Sequence, residues 1–177
     1  MSSDAAMELL NRLAPNIAES YRDDCLRLIE ALEGLPLALQ VAGRMLHAEA
    51  SNGWDVAKFL VDLQDAARML PRLAPPNMLD LVSQTTPTIA ALLKKSTDVL
   101  DIATRRRFAY LGAVREKPAT FDVKLLQSLW QSAEVKETAD ILINRGLLEP
   151  VGSQRFTIHS LLLALANSML AHLEEVR

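Results

Sequence analysis

Two short segments hold the residue types best able to contact a ligand, a rigid apolar corner and a histidine ahead of a helix. Gly34-Leu35-Pro36-Leu37-Ala38-Leu39 joins a helix-stopping glycine to a helix-starting proline and is otherwise apolar. Glycine enters the left-handed conformation without steric cost, and proline suits a first helical turn because its missing N–H is not needed there. The result is a rigid apolar corner, as well suited to an ordinary bend between two helices as to a wall for a flat base. Phe156-Thr157-Ile158-His159-Ser160-Leu161 sets a histidine between a strand-like stretch and a helix-like one. Helix N-termini gather free N–H groups and partial positive charge, which favour a phosphate, and an imidazole there adds a directed N–H donor. A lone histidine also serves as a structural or exposed residue.

Little else in the chain offers chemistry. No G-x-x-x-x-G-K-[ST] loop is present to cradle phosphates. His47 ends an apolar helical stretch and His172 lies in the polar C-terminal end. Neither forms a Ser/His/Asp or Cys/His set in sequence, and one cysteine, Cys25, with three distant histidines gives no metal-ligand spacing. This chain is therefore not expected to be an enzyme by itself, and no metal is expected. Arg105-Arg106-Arg107 is the one strong basic cluster, read either as a solvated helix face against a neighbouring domain or as a phosphate contact.

The elements that must position these residues follow from periodicity. The chain has 177 residues, half of them hydrophobic, and only six glycines, which favours a mainly α-helical protein with a real core. Ala5–Leu13 reads as a helix interrupted at Pro15. Ser20-Tyr21-Arg22-Asp23 fits a capping box opening a helix that buries Leu26, Leu28, Ile29 and Leu32 and stops at Gly34. Pro36 opens a helix carrying Leu37, Leu39, Val41, Met45 and Leu46. A turn at Ser51-Asn52-Gly53 leads to a helix with Trp54, Ala57, Leu60 and Val61, running to about Met69.

Pro71, Pro75 and Pro76 then mark a change of composition. The expected division is a helical domain over 1–75, a linker over 76–86 and a second domain over 87–177. In the second domain Thr86 is the N-cap and Pro87 the first helical residue, with Ile89, Leu92 and Leu93 inside. Helices carrying Leu100, Phe108 and Leu111, then Leu125, Leu126, Leu129 and Trp130, then Val135, Ala139, Leu142 and Ile143 follow, the last stopped by Gly146. Leu147–Val151, a Gly152-Ser153-Gln154 turn and Arg155–Ile158 read as a β-hairpin. Ser160 caps a final helix. Helices, a two-stranded wing and another helix describe a winged helix, so the fold class is mainly α, a helical bundle followed by a winged-helix domain with a small β-hairpin.

Charge bears on partners. Net charge is −3, divided as −5 over residues 1–85 and +2 over 86–177. The helix that would enter a DNA groove, about Glu134–Arg145, carries Glu134, Glu137 and Asp140 against Lys136 and Arg145, a net of −1. Recognition helices need cations, so DNA is not an expected partner. With no signal peptide and no apolar run long enough to span a bilayer, a cytoplasmic location without membrane contact is expected.

In this order and spacing, the two opening segments resemble signature elements of the NB-ARC (STAND) class of signalling NTPases. Gly34 through Leu39 matches the Gly-Leu-Pro-Leu element in full. Ile158-His159-Ser160 is similar to the Met-His-Asp element, with Ser160 replacing an aspartate, so it can cap a helix but cannot make the charged contacts. Leu142-Ile143-Asn144-Arg145-Gly146-Leu147-Leu148 resembles the run into that family's wing, Leu92–Leu111 its segment entering the winged helix, where an arginine-rich stretch precedes an apolar helix, and Phe121 with Leu125–Trp130 its next helix. The resemblance implies a regulatory, nucleotide-state-sensing module that closes over ADP or ATP held by an upstream P-loop domain and controls signalling output.

It further implies that Gly34, Leu35, Pro36 and Leu37 wall the adenine, that His159 meets the β-phosphate, and that the Walker elements lie upstream of residue 1. ADP or ATP would be the cofactor of the longer protein, with none expected for this fragment alone. Neighbouring sensor or output domains would be partners, and oligomers would form on activation. The rival reading is a winged-helix transcription regulator or a protein-interaction adaptor working without nucleotide.

Overall fold

A computed structural model describes residues 1–49, 56–73, 86–114 and 120–175. Among these the chain is mainly helical, with ten helices and one three-stranded antiparallel sheet. The described residues divide into two compact units, one drawn from positions up to Leu73 together with 86–93, the other from Lys94 onward. The expected linker at 76–86, the turn at 51–53 and Trp54 lie outside the described residues, Thr86 excepted.

The first unit is built on α1 (Ser3–Leu13), α2 (Pro15–Ser20), α3 (Arg22–Ala31), α4 (Pro36–Glu49) and α5 (Val56–Leu73). The Ser2 hydroxyl caps α1 by accepting the Ala5 N–H at 3.3 Å. Pro15 does not leave a gap; it is the first residue of α2. The expected capping box is absent, because Ser20 closes α2 and Tyr21 precedes α3 with no side-chain cap. Helix α1 packs on α3 and α4, and α3 on α5. Their shared core includes Leu10, Leu28, Leu32, Leu39, Met45, Phe59 and Leu63, each under 3% exposed.

Leu26, expected inside, is 39% exposed, and Val61 on α5 is 55% exposed. Each lies about 100° round its helix from the next residue, enough to turn it off the buried stripe. Helix α5 runs four residues past the expected end and through Pro71, whose missing N–H removes one bond near the end of the ladder.

Cys25 occupies the buried face of α3 that Leu26 vacates. Burial, reinforced by the Asp24 carboxylate, pushes the Cys25 thiol from 9.0 up to about 11. The folded protein thus keeps a proton that the unfolded chain releases. The stability this contributes is full below pH 9.0 and is lost as pH rises through about 11. Near pH 8 the native thiol is expected to react with a maleimide far more slowly than the urea-unfolded chain, read by mass spectrometry. Equal rates would contradict the burial.

Helix α6 (Pro87–Asp98) begins as the sequence indicates, with the Thr86 hydroxyl accepting the Ile89 N–H at 3.4 Å. The division between units falls inside this helix, after Leu93, rather than at its start. The second unit continues with α7 (Ile102–Leu111), β1 (Thr120–Asp122), α8 (Val123–Trp130), α9 (Lys136–Asn144), β2 (Glu149–Pro150), β3 (Arg155–Thr157) and α10 (Ser160–Glu175). The β2–β3 hairpin lies where expected, although its strands are shorter. Strand β1, which periodicity does not reveal, pairs with β3 in the order β1-β3-β2, with Phe121 opposite Phe156. Its last residue, Asp122, also caps α8 by accepting the Leu125 N–H at 2.7 Å.

Leu100 is buried but precedes α7, and Leu125 on α8 is exposed. Asp101 caps α7, accepting the Thr104 N–H at 2.9 Å, and hydrogen bonds from the Thr104 side chain and backbone hold its carboxyl below the usual value. Gly146 (φ 70°) ends α9 as expected, its N–H bonding to the Ile143 carbonyl and that of Leu147 to Leu142. Helix α7 makes its most extensive packing with α10, around buried Phe108, Leu162, Leu165 and Ala166.

Candidate functional site

The corner at 34–37 is held by backbone hydrogen bonds. The Glu33 N–H donates to the Glu30 carbonyl at 3.0 Å and the Gly34 N–H to Ile29 at 2.9 Å. These are the two bonds of a Schellman stop. Its left-handed position is Glu33 (φ 54°), one residue earlier than glycine preference suggests, and Gly34 (φ 60°) continues in the same region. A non-glycine residue in that conformation costs about 1 kcal/mol, which the paired carbonyls offset. Gly34 is buried, and a Cβ on it would stand 3.0 Å from the Met1 carbonyl oxygen.

Leu35 then donates its N–H to Leu32 and accepts from Leu39, each at 3.0 Å, so α4 starts around Pro36 with no donor wasted. The four corner residues divide in role. Leu37 is buried and anchors the corner in the first unit's core, Leu35 is half-buried, and Pro36 is exposed. The face this corner offers a planar ligand is therefore the Pro36 ring with part of Leu35.

In the second unit His159 is exposed and stands immediately before α10. Its carbonyl accepts the Leu163 N–H at 2.9 Å, and its Nδ1 accepts the Leu161 N–H at 3.2 Å. His159 is thus the cap of α10, and Ser160, expected in that role, is the first helical residue. An accepting Nδ1 assigns the proton to Nε2, which leaves one N–H donor on the outer edge of the ring. The side chain consumes one free N–H of the helix end and supplies a donor of its own. Ile158, just before it, is buried and fixes the backbone there.

The basic cluster is largely engaged within the second unit. Arg105 bonds Asp98 at 2.8 Å, and Arg107 donates to the Thr138 hydroxyl at 2.5 Å. The Arg107 carbonyl also accepts the Trp130 indole N–H at 2.8 Å. These contacts tie α7 to α8 and α9. Arg106 is exposed. Among the described residues no three His, Cys, Asp or Glu side chains are grouped to hold a metal, and no helix is long and apolar enough to cross a membrane.

Gly34, Leu35, Pro36 and Leu37 belong to the first unit and His159 to the second. Set against known proteins, the chain matches no protein-family model and no curated protein sequence.

Proposed function

We propose that this chain is the regulatory, nucleotide-state-sensing module of an NB-ARC (STAND) ATPase, a helical domain followed by a winged helix that closes over ADP or ATP on an upstream P-loop domain. The observation that carries the reading is the ordered pair of motifs. Each has a local form suited to its part: a rigid corner with an exposed proline ring, and a helix-capping histidine whose Nε2–H is directed outward. Further support comes from the element order of the second unit, in which helices precede a short hairpin, a third strand joins it and a helix follows.

The residues fit the group they would hold. Pro36 and Leu35 would stack on the adenine, and Leu37 would keep them in place from the core side. His159 would donate Nε2–H to the β-phosphate while α10 adds the partial charge of its N-terminus. The bound nucleotide would supply the link between domains, with ADP favouring the closed, inactive state through its greater affinity for that state. Ser160 in place of an aspartate leaves that state without a charged lock. Sensor and output domains, and assembly on activation, belong to the longer protein.

The test is ADP affinity by calorimetry for the P-loop domain joined to this chain and for the P-loop domain alone. The joined protein is expected to bind ADP at least about tenfold more tightly, the effect of one charge-assisted hydrogen bond. Equal affinity would favour the rival reading, an adaptor or transcription regulator that works without nucleotide.

A further inference from the structure

In the second unit, α9 and the sheet enclose a groove of about 910 Å³ that the nucleotide reading does not use. Its apolar lining includes Val123 at the start of α8, Ile141 on α9 and Phe156 on β3, all partly exposed. The volume is in the range of cavities that seat several side chains. The rim is acidic. Asp140 is already paired with Lys136 at 2.5 Å. Glu134 and Glu137 are exposed and have no ion pair among the described residues. An apolar trough under two uncompensated carboxylates repels nucleic-acid phosphate and acidic peptides alike. It is complementary to a helix with an apolar stripe flanked by Lys or Arg, the helix-in-groove mode of recognition.

We propose that this groove docks a basic amphipathic helix of a partner protein, Ile141, Val123 and Phe156 receiving its apolar stripe and Glu134 and Glu137 its cations. The proposal is independent of nucleotide, and its test contains none. The probe is a synthetic amphipathic helix of Leu and Lys, roughly three turns long. Controls are the same pattern in Leu and Glu, and duplex DNA. Binding is followed by fluorescence anisotropy and located by amide chemical shifts.

The Leu/Lys probe is expected to bind, with shifts concentrated in α9, Val123 and Phe156, and the controls are not. Glu134→Gln with Glu137→Gln is expected to weaken binding about tenfold without changing the circular dichroism spectrum. Ile141→Thr, tested separately for folding in the same way, is expected to weaken it through lost apolar contact. The proposal is overturned by absent binding, by equal binding of the acidic probe, by DNA binding there, by insensitivity to the carboxylate pair, or by self-association of the protein through the same residues.

Discussion

Replacing Gly112 with alanine is expected to destabilise the second unit by about 3 kcal/mol, the upper part of the range for forcing extra atoms into a packed site. Gly112 caps α7 with an ordinary φ of −63°, so the requirement for glycine is spatial rather than conformational. An added Cβ would stand 2.3 Å from the Asn167 backbone nitrogen and 2.5 Å from the Ala166 carbonyl carbon. Those atoms belong to α10 and cannot rotate away as a side-chain tip would. Separating them moves α10 from α7 across their main packing surface. It also strains the hydrogen bond from Asn167 Nδ2 to the Gly112 carbonyl, now 3.0 Å.

Urea unfolding monitored by circular dichroism measures the effect. Gly152→Ala is the control: its site has open space, and its φ of 67° costs alanine only about 1 kcal/mol. Equal losses for the two variants would show that α7 and α10 do not approach as described.

Local chemistry was the legible part of this chain. The start of α4 at Pro36, the Thr86-Pro87 start of α6, the Gly146 stop and the position of the hairpin follow from residues acting within one turn of themselves. Features that depend on partners elsewhere were not legible. Strand β1 has three residues, too few to show a period, and exists through pairing with β3. Leu26 reads as core because it is apolar and borders a buried stripe, yet neighbouring helices do not cover it.

The candidate site shows the same contrast. Its residues are named by resemblance to family motifs, and their local roles do not follow from that resemblance. Serine is a commoner cap than histidine, so the sequence points to Ser160 for work that His159 does. Glycine preference assigned to Gly34 the left-handed stop that Glu33 occupies first. The acidic groove joins residues from α8, α9 and β3, a juxtaposition no single stretch of sequence contains.

The capping role of His159 allows stability and the proposed nucleotide contact to be separated. Aspartate is a strong N-cap and favours the helix dipole, so His159→Asp is expected to preserve or raise stability, by up to about 1 kcal/mol. It nevertheless removes the Nε2–H donor and would present negative charge to the proposed phosphate. Loss of one charge-assisted hydrogen bond is worth about 1.5–3 kcal/mol, or roughly tenfold to a hundredfold in ADP affinity. In the proposed nucleotide role, Pro36→Ala would remove ring area from a base contact and leave a phosphate contact intact.

The most direct measurement is therefore the affinity of the P-loop domain joined to this chain for ADP and for AMP, in the parent protein and in His159→Asp and Pro36→Ala. His159→Asp is expected to weaken ADP at least about tenfold and AMP little, because AMP has no β-phosphate. Pro36→Ala is predicted to weaken both by a similar factor. Unchanged ADP affinity in both variants, or an equal loss of ADP and AMP in His159→Asp, would contradict the proposed contacts.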